Sequence, residues 1–185
     1  MEWTIPGTVL RIRREDADGV EERFSSMFLA GGMVLSQVAS ITGLEPYTIQ
    51  NWVKRGFLPP PQHRKYSMGQ LCRILNINML KSTLSLETIC GLLGYINGKL
   101  DETSDDIIDD AELYFLFVRL AARAKQLDDP AVWQKAMEAA LRDYQEPVPG
   151  AKDRVAKVLR IMLTAWAAAQ MKKKSQKWLD EIKEN

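Results

Sequence analysis

Cysteine and histidine are scarce: Cys72, Cys90 and His63 are their only representatives in 185 residues. Two cysteines set apart inside apolar, helix-like stretches form neither a disulfide framework nor a metal-ligand spacing. A lone histidine in a polar loop lacks the companions of a zinc site, which takes three or four ligands. Both thiols are expected to be reduced and buried, in a cytoplasmic protein that needs no metal or cofactor. A paired nucleophile and base are missing, as is a glycine loop to cradle phosphates, which argues against an enzyme. No apolar run approaches the ~20 residues needed to cross a bilayer, and no positively charged segment leads into an apolar stretch at the N-terminus. Neither membrane spanning nor secretion is expected.

Negative charge is missing from one long window. Between Pro46 and Leu86 there is no Asp or Glu, while Lys54, Arg55, Arg64, Lys65, Arg73 and Lys81 all fall inside it. The formal net charge of +1 conceals this, because Asp101, Glu102, Asp105, Asp106, Asp109, Asp110 and Glu112 follow directly downstream. One end of the molecule is expected to be basic, and the acidic run to serve a helix N-terminus and a solvated face. Lys172, Lys173 and Lys174 read as a solvated helix end.

What is present is mostly helix. A hydrophobic content of 46% is enough for a core. The stretch TVLRI suits a short strand, REDADG a turn, and EERFSSMFLA a helical turn ending at Gly31-Gly32. Ser36 is placed to cap a helix that runs through Ile41 and ends at Gly43. Pro46 opens a second helix that Gly56 stops after Arg55, with Ile49, Trp52 and Val53 on its inner face. Three prolines, Pro59 to Pro61, then forbid helix and favour a stiff loop or tiny hairpin. Ser67 and Gln70 form a capping box for a helix with Leu71, Ile74, Leu75 and Leu80 as its spine. A further helix ends near Gly94, and residues 95–104 read as a linker. Ser104 starts a buried helix to about Leu127, Pro130 opens another, and Ala151 begins a last one of roughly 30 residues. Its seam of Val155, Val158, Met162, Ala165 and Ala169 suits packing within the chain or across a dimer.

The ordered series VLSQVASITGLEPYTIQNWVKRGFLPP, then Arg64 and Tyr66, then LCRILNINMLKSTLSLETICGLL, resembles the DNA-binding domain of MerR-type winged helix-turn-helix regulators. The likeness rests on Ala39, Thr42-Gly43, Thr48-Ile49, Trp52, Gly56-Phe57-Leu58 and Pro60, over about residues 33 to 95. The whole chain also resembles an uncharacterised bacterial family that joins such a domain to a helical C-terminal half. Three segments follow: an N-terminal extension, 1–32; a MerR-like domain, 33–98; and an α-helical bundle for dimerisation or sensing, 99–185. The sequence departs from the family at Gln50, where arginine is common, and at Asn51, where an aromatic is usual. Its wing, Pro61 to Tyr66, is short and lacks the usual Gly-Tyr pair.

The resemblance implies a homodimeric transcription regulator on double-stranded DNA, acting by twisting promoter DNA. The implied site takes Ser36 from the first helix, Tyr47, Thr48, Gln50, Asn51, Lys54 and Arg55 from the second, and His63, Arg64, Lys65 and Tyr66 from the wing. Residues near a helix N-terminus reach base edges first; Gln50 and Asn51 suit adenine, Lys54 and Arg55 suit guanine or phosphate. The rival is a non-enzymatic protein-interaction adaptor that keeps the fold and binds a partner helix or a small apolar ligand through its C-terminal half. A small apolar effector among Tyr114, Phe115, Phe117, Trp133 and Trp166 is conceivable, although such rings more often form core.

Overall fold

The computed structural model describes residues 2–98, 100, 104–123 and 130–183, and the chain is mainly helical. Two short strands, β1 (Glu2–Thr4) and β2 (Arg11–Arg13), pair antiparallel with Trp3 opposite Ile12. The segment expected as a turn is a 3-10 helix, Arg14–Gly19, which runs straight into α1, Val20–Met27.

Next come α2 (Leu35–Thr42) and α3 (Pro46–Lys54). Ser36 is not the cap of α2 but lies in its first turn. Gln37 reaches back instead, its side-chain oxygen accepting the Val34 N–H at 3.0 Å, so that no hydroxyl is required there. Gly43 ends α2 in a left-handed conformation, φ 67°. The helix α4 (Met68–Leu80) carries both halves of its capping box: Gln70 N–H donates to Ser67 Oγ at 3.2 Å and Ser67 N–H to Gln70 Oε1 at 2.9 Å.

Two boundaries correct the reading from sequence. The helix α5, Leu86–Asn97, runs through Gly94, so the expected linker does not begin at Tyr95. A single helical glycine costs only about 1 kcal/mol, and burial of Ile96 and Asn97 carries the helix on. The helix α6, Asp110–Arg123, starts six residues after Ser104. Asp109 is its cap, one carboxylate oxygen accepting the Ala111 and Glu112 N–H groups at 2.8 Å each. Its expected extension to Leu127 lies outside the described residues. Two further helices follow, α7 (Pro130–Ala140) and α8 (Ala151–Lys183).

One buried cluster includes residues of all three segments, from Ile5 and Phe24 through Leu71 and Leu75 to Phe117, Leu159 and Trp166. α6 runs through its middle, with Leu113 to Val118 buried without interruption. Phe24, Tyr114 and Phe115 stack edge to face or tilted at centroid distances of 5.5 to 6.0 Å, and Phe117 meets Trp166 at 6.0 Å. These rings are core. Val155, Val158, Met162 and Ala165 of the seam belong to the same cluster, Ala169 is buried beyond them, and α8 packs on α4, α5 and α6, so that seam is spent within the chain. Residues 2–32 are no loose extension either. Tyr114 donates to the Pro6 carbonyl at 2.8 Å, and Asn78 of α4 donates to the carbonyls of Gly7 and Thr42 at 2.8 and 3.0 Å.

The proline loop hangs on α4. Gln70 donates to the carbonyls of Pro59 and Pro60 at 3.1 and 2.9 Å, and Arg73 Nε to that of Phe57 at 3.0 Å. Arg73 is not part of a basic surface: it is buried, with one amino group 3.2 Å from the Asp110 carboxylate. Asp110 is correspondingly no member of a solvated face. Burial pushes its carboxyl up, and Arg73 pulls it back. Asp106, beside it, is pushed up to about 6, by burial first and then by the charges of Asp110 and Asp105.

Beyond the loop the chain turns sharply. Lys65 N–H donates to the Gln62 carbonyl at 2.8 Å, and the two turn residues, His63 and Arg64, stand at φ 48° and 62°. Positive φ at both positions is the pattern of a type I′ hairpin turn, which favours Asn-Gly. Tyr66 then pairs with Met33, exchanging backbone hydrogen bonds of 2.7 and 2.9 Å, and so fastens the hairpin to the segment just before α2.

Two stability predictions follow from this geometry. Each left-handed non-glycine residue costs about 1 kcal/mol, so His63→Asn with Arg64→Gly should raise unfolding free energy by about 1–2 kcal/mol in a urea titration. A carboxyl whose folded pKa lies above its unfolded value favours folding most at low pH, and that contribution is lost as pH rises from about 4 through about 6. Asp106→Asn should therefore flatten the melting-temperature profile between about pH 4 and 6 and stabilise the chain at pH 7 by about 1 kcal/mol, after allowance for solvent screening.

Candidate nucleic-acid interface

α3 is two-faced because its residue types repeat at helical spacing. Ile49 and Trp52 are buried, whereas Tyr47, Gln50, Asn51 and Lys54, at i, i+3, i+4 and i+7, are exposed along the opposite side. Tyr47, at 63% exposure, stands clear of the body. Thr48 is half-buried at the edge of this face. The helix begins at Pro46, whose missing N–H is one of the unpaired donors of the first turn. Glu45, exposed just before it, complements the positive helix end.

Of the six cations in the acid-free window, three are engaged elsewhere. Arg73 is buried on Asp110. Arg55 lies over the Phe57 ring, 4.5 Å from its centroid, and pairs with Glu87 of α5 at 2.8 Å. Lys81 sits 5.9 Å from the Trp52 ring centroid, and burial pulls its ammonium down. Lys54, Arg64 and Lys65 are exposed and form no ion pair among the described residues. His63 is exposed beside them at the hairpin tip.

The middle of α3, the hairpin and the start of α2 surround one open depression of about 560 Å³. Ser36, Gln50 and Arg64, which sequence places far apart, all line it. Val34, Val53 and Pro61 also line it and give it a largely apolar floor; sequence reasoning missed these three, for which Val34, exposed ahead of a helix, was the available signal. No carboxylate is among its described lining residues. Tyr66 does not stand at the surface as a contact residue would. Its ring is only 3% exposed and serves as a wall of the depression, and burial pushes its hydroxyl up, so it remains a donor.

Thiol chemistry has no footing nearby. Cys72 is buried and its thiol is pushed well up, by burial first and then by Asp110 and Asp109. Cys90 is only half-buried, contrary to expectation, and burial raises its thiol as well. Among the described residues no group of three or more His, Cys, Asp or Glu is arranged to hold a metal ion, and no helix is long and apolar enough to cross a membrane.

Comparison with known proteins adds a domain without an assigned role. Residues 32–117, a little under half of the chain, match the family described as Domain of unknown function (DUF1836), and the match runs past α5 into α6. The chain is also similar to the uncharacterized protein YkrK of Bacillus subtilis (strain 168), with 32% identity over 84 residues, 43% of this chain. It spans 36% of that relative's length. No solved structure matches.

Proposed function

We propose that the chain is a DNA-binding transcription regulator of the MerR type, working as a homodimer. In this reading α2 and α3 are a helix-turn-helix, α3 enters the major groove, and the hairpin at residues 62–65 is the wing. The observation that carries it is the shared outlook of Gln50 and Arg64, from α3 and the hairpin, onto one depression that no carboxylate lines. Gln50 and Asn51 would meet base edges, where a bidentate pairing with adenine discriminates by about 1–3 kcal/mol. Lys54, Arg64 and Lys65 would meet phosphates, and Ser36, at the positive end of α2, a further phosphate oxygen. Arg55, held by Glu87, would contribute less.

The strained turn supports the same reading. Two residues at unfavourable φ persist where Asn-Gly would fold better, and such strain is kept where a side chain is wanted for contact. Arg64 at the tip supplies that side chain.

Dimerisation is supported by the far end of α8. Residues 170–183 are exposed at every position, and a free helix of this length is only marginally stable in water. Met171, Trp178 and Ile182 continue a stripe that starts at Ile161 on the side away from the buried seam, Trp178 and Ile182 being 54% and 73% exposed. A second copy laid along this stripe would cover it, and two-fold symmetry would then set a palindromic operator.

In gel-shift titrations against fragments of the source genome, the chain should bind with an affinity that falls steeply with salt. Lys54→Ala and Arg64→Ala should weaken binding to all sequences alike and lower the salt slope by about 1 per lost phosphate contact. Gln50→Ala should instead relax discrimination between sequences. Absence of any salt-dependent shift would leave the adaptor reading. Separately, Trp178→Glu with Ile182→Glu should convert a dimer to a monomer in sedimentation equilibrium and weaken DNA binding, while the body stays folded.

A further inference from the structure

The depression between α3 and the hairpin is larger and less polar than a groove for phosphates needs. Protein–DNA interfaces are polar and positively charged, whereas here Val34, Val53 and Pro61 give about 560 Å³ an apolar floor, a size that suits a small organic molecule. Three polar groups converge on that floor. Arg64 brings a guanidinium that no described carboxylate engages. Gln50 brings an amide. Tyr66 lines the depression, and its hydroxyl has no partner among the described residues. An acceptor held in the depression could take a hydrogen bond from it.

We infer that this depression binds a small planar apolar carboxylate, with Arg64 and the Tyr66 hydroxyl on the carboxylate and Val34, Val53 and Pro61 against the ring. An unpaired cation, a free donor and an apolar floor together fit an anion with a flat hydrocarbon body better than a sugar, a cation or a neutral lipid. The regulatory consequence rests on the DNA-binding reading: α3 and the hairpin are the walls of the depression, so ligand and duplex exclude one another. Such a regulator would release DNA by direct competition at its reading face rather than through a distant sensor.

The test uses 2-naphthoate as carboxylate and 2-naphthamide as its neutral counterpart, with the full-length chain. Isothermal titration calorimetry should give one saturable 2-naphthoate site per chain and roughly tenfold weaker binding of the amide. Arg64→Met, which keeps length and removes charge, should cost roughly tenfold for 2-naphthoate and little for the amide. Tyr66→Phe, which keeps the ring, should weaken 2-naphthoate several-fold, with unchanged far-ultraviolet circular dichroism in both variants. Absence of a saturable site, equal affinity for acid and amide, or indifference to Arg64→Met overturns the site. In gel shifts, 2-naphthoate should raise the apparent Kd for DNA in proportion to its concentration, and binding without displacement overturns the competition. A chain that never shifts DNA overturns the function proposed above, and calorimetry alone then decides the carboxylate site.

Discussion

The buried contact between Arg73 and Asp110 is the constraint on which the rest of the structure depends. Three prolines in a row cannot fasten a loop to its neighbours through their own N–H groups, since they have none. The loop after α3 is therefore held by its carbonyls, and α4 supplies the donors: Gln70 for Pro59 and Pro60, Arg73 for Phe57. Arg73 can be buried for this purpose only because Asp110 comes from α6 to balance it. The hairpin, the end of α3 and the central helix are thereby tied to one guanidinium, and replacing either partner leaves an unpaired buried charge.

That contact explains why the acidic run follows the basic window so closely along the chain. Read as a sequence, the change of sign looks like two solvated surfaces. In the folded chain Asp109 caps α6 and Asp110 neutralises an arginine counted toward the basic end. Charge was legible as composition, but which charges survive at the surface depended on partners 32 and 37 positions away, Glu87 for Arg55 and Asp110 for Arg73. Period and composition carry no such information.

Local signals were read well where the chemistry is local. Gly43, Pro46, Gly56 and the Ser67–Gln70 box act through their own backbone or the next few residues, and the three helices they delimit stand where expected. The alternation of α3, with Ile49 and Trp52 inside and Gln50, Asn51 and Lys54 outside, is equally local. Long-range packing decided the misses. Gly94 did not stop α5 because Ile96 and Asn97 are buried beyond it, and α6 waited for Asp109 because Ile107 and Ile108 were drawn into the core first. Of the candidate site, the polar rim was legible, but its apolar floor was not: Val34 and Pro61 meet only when Tyr66 pairs with Met33 and folds the hairpin back on the start of α2.

α4 touches α2, α5, α6 and α8, and its first turn grips the proline loop. It is the axle of the molecule. One helix therefore carries both the long rod whose far end stands bare and the loop from which the hairpin springs.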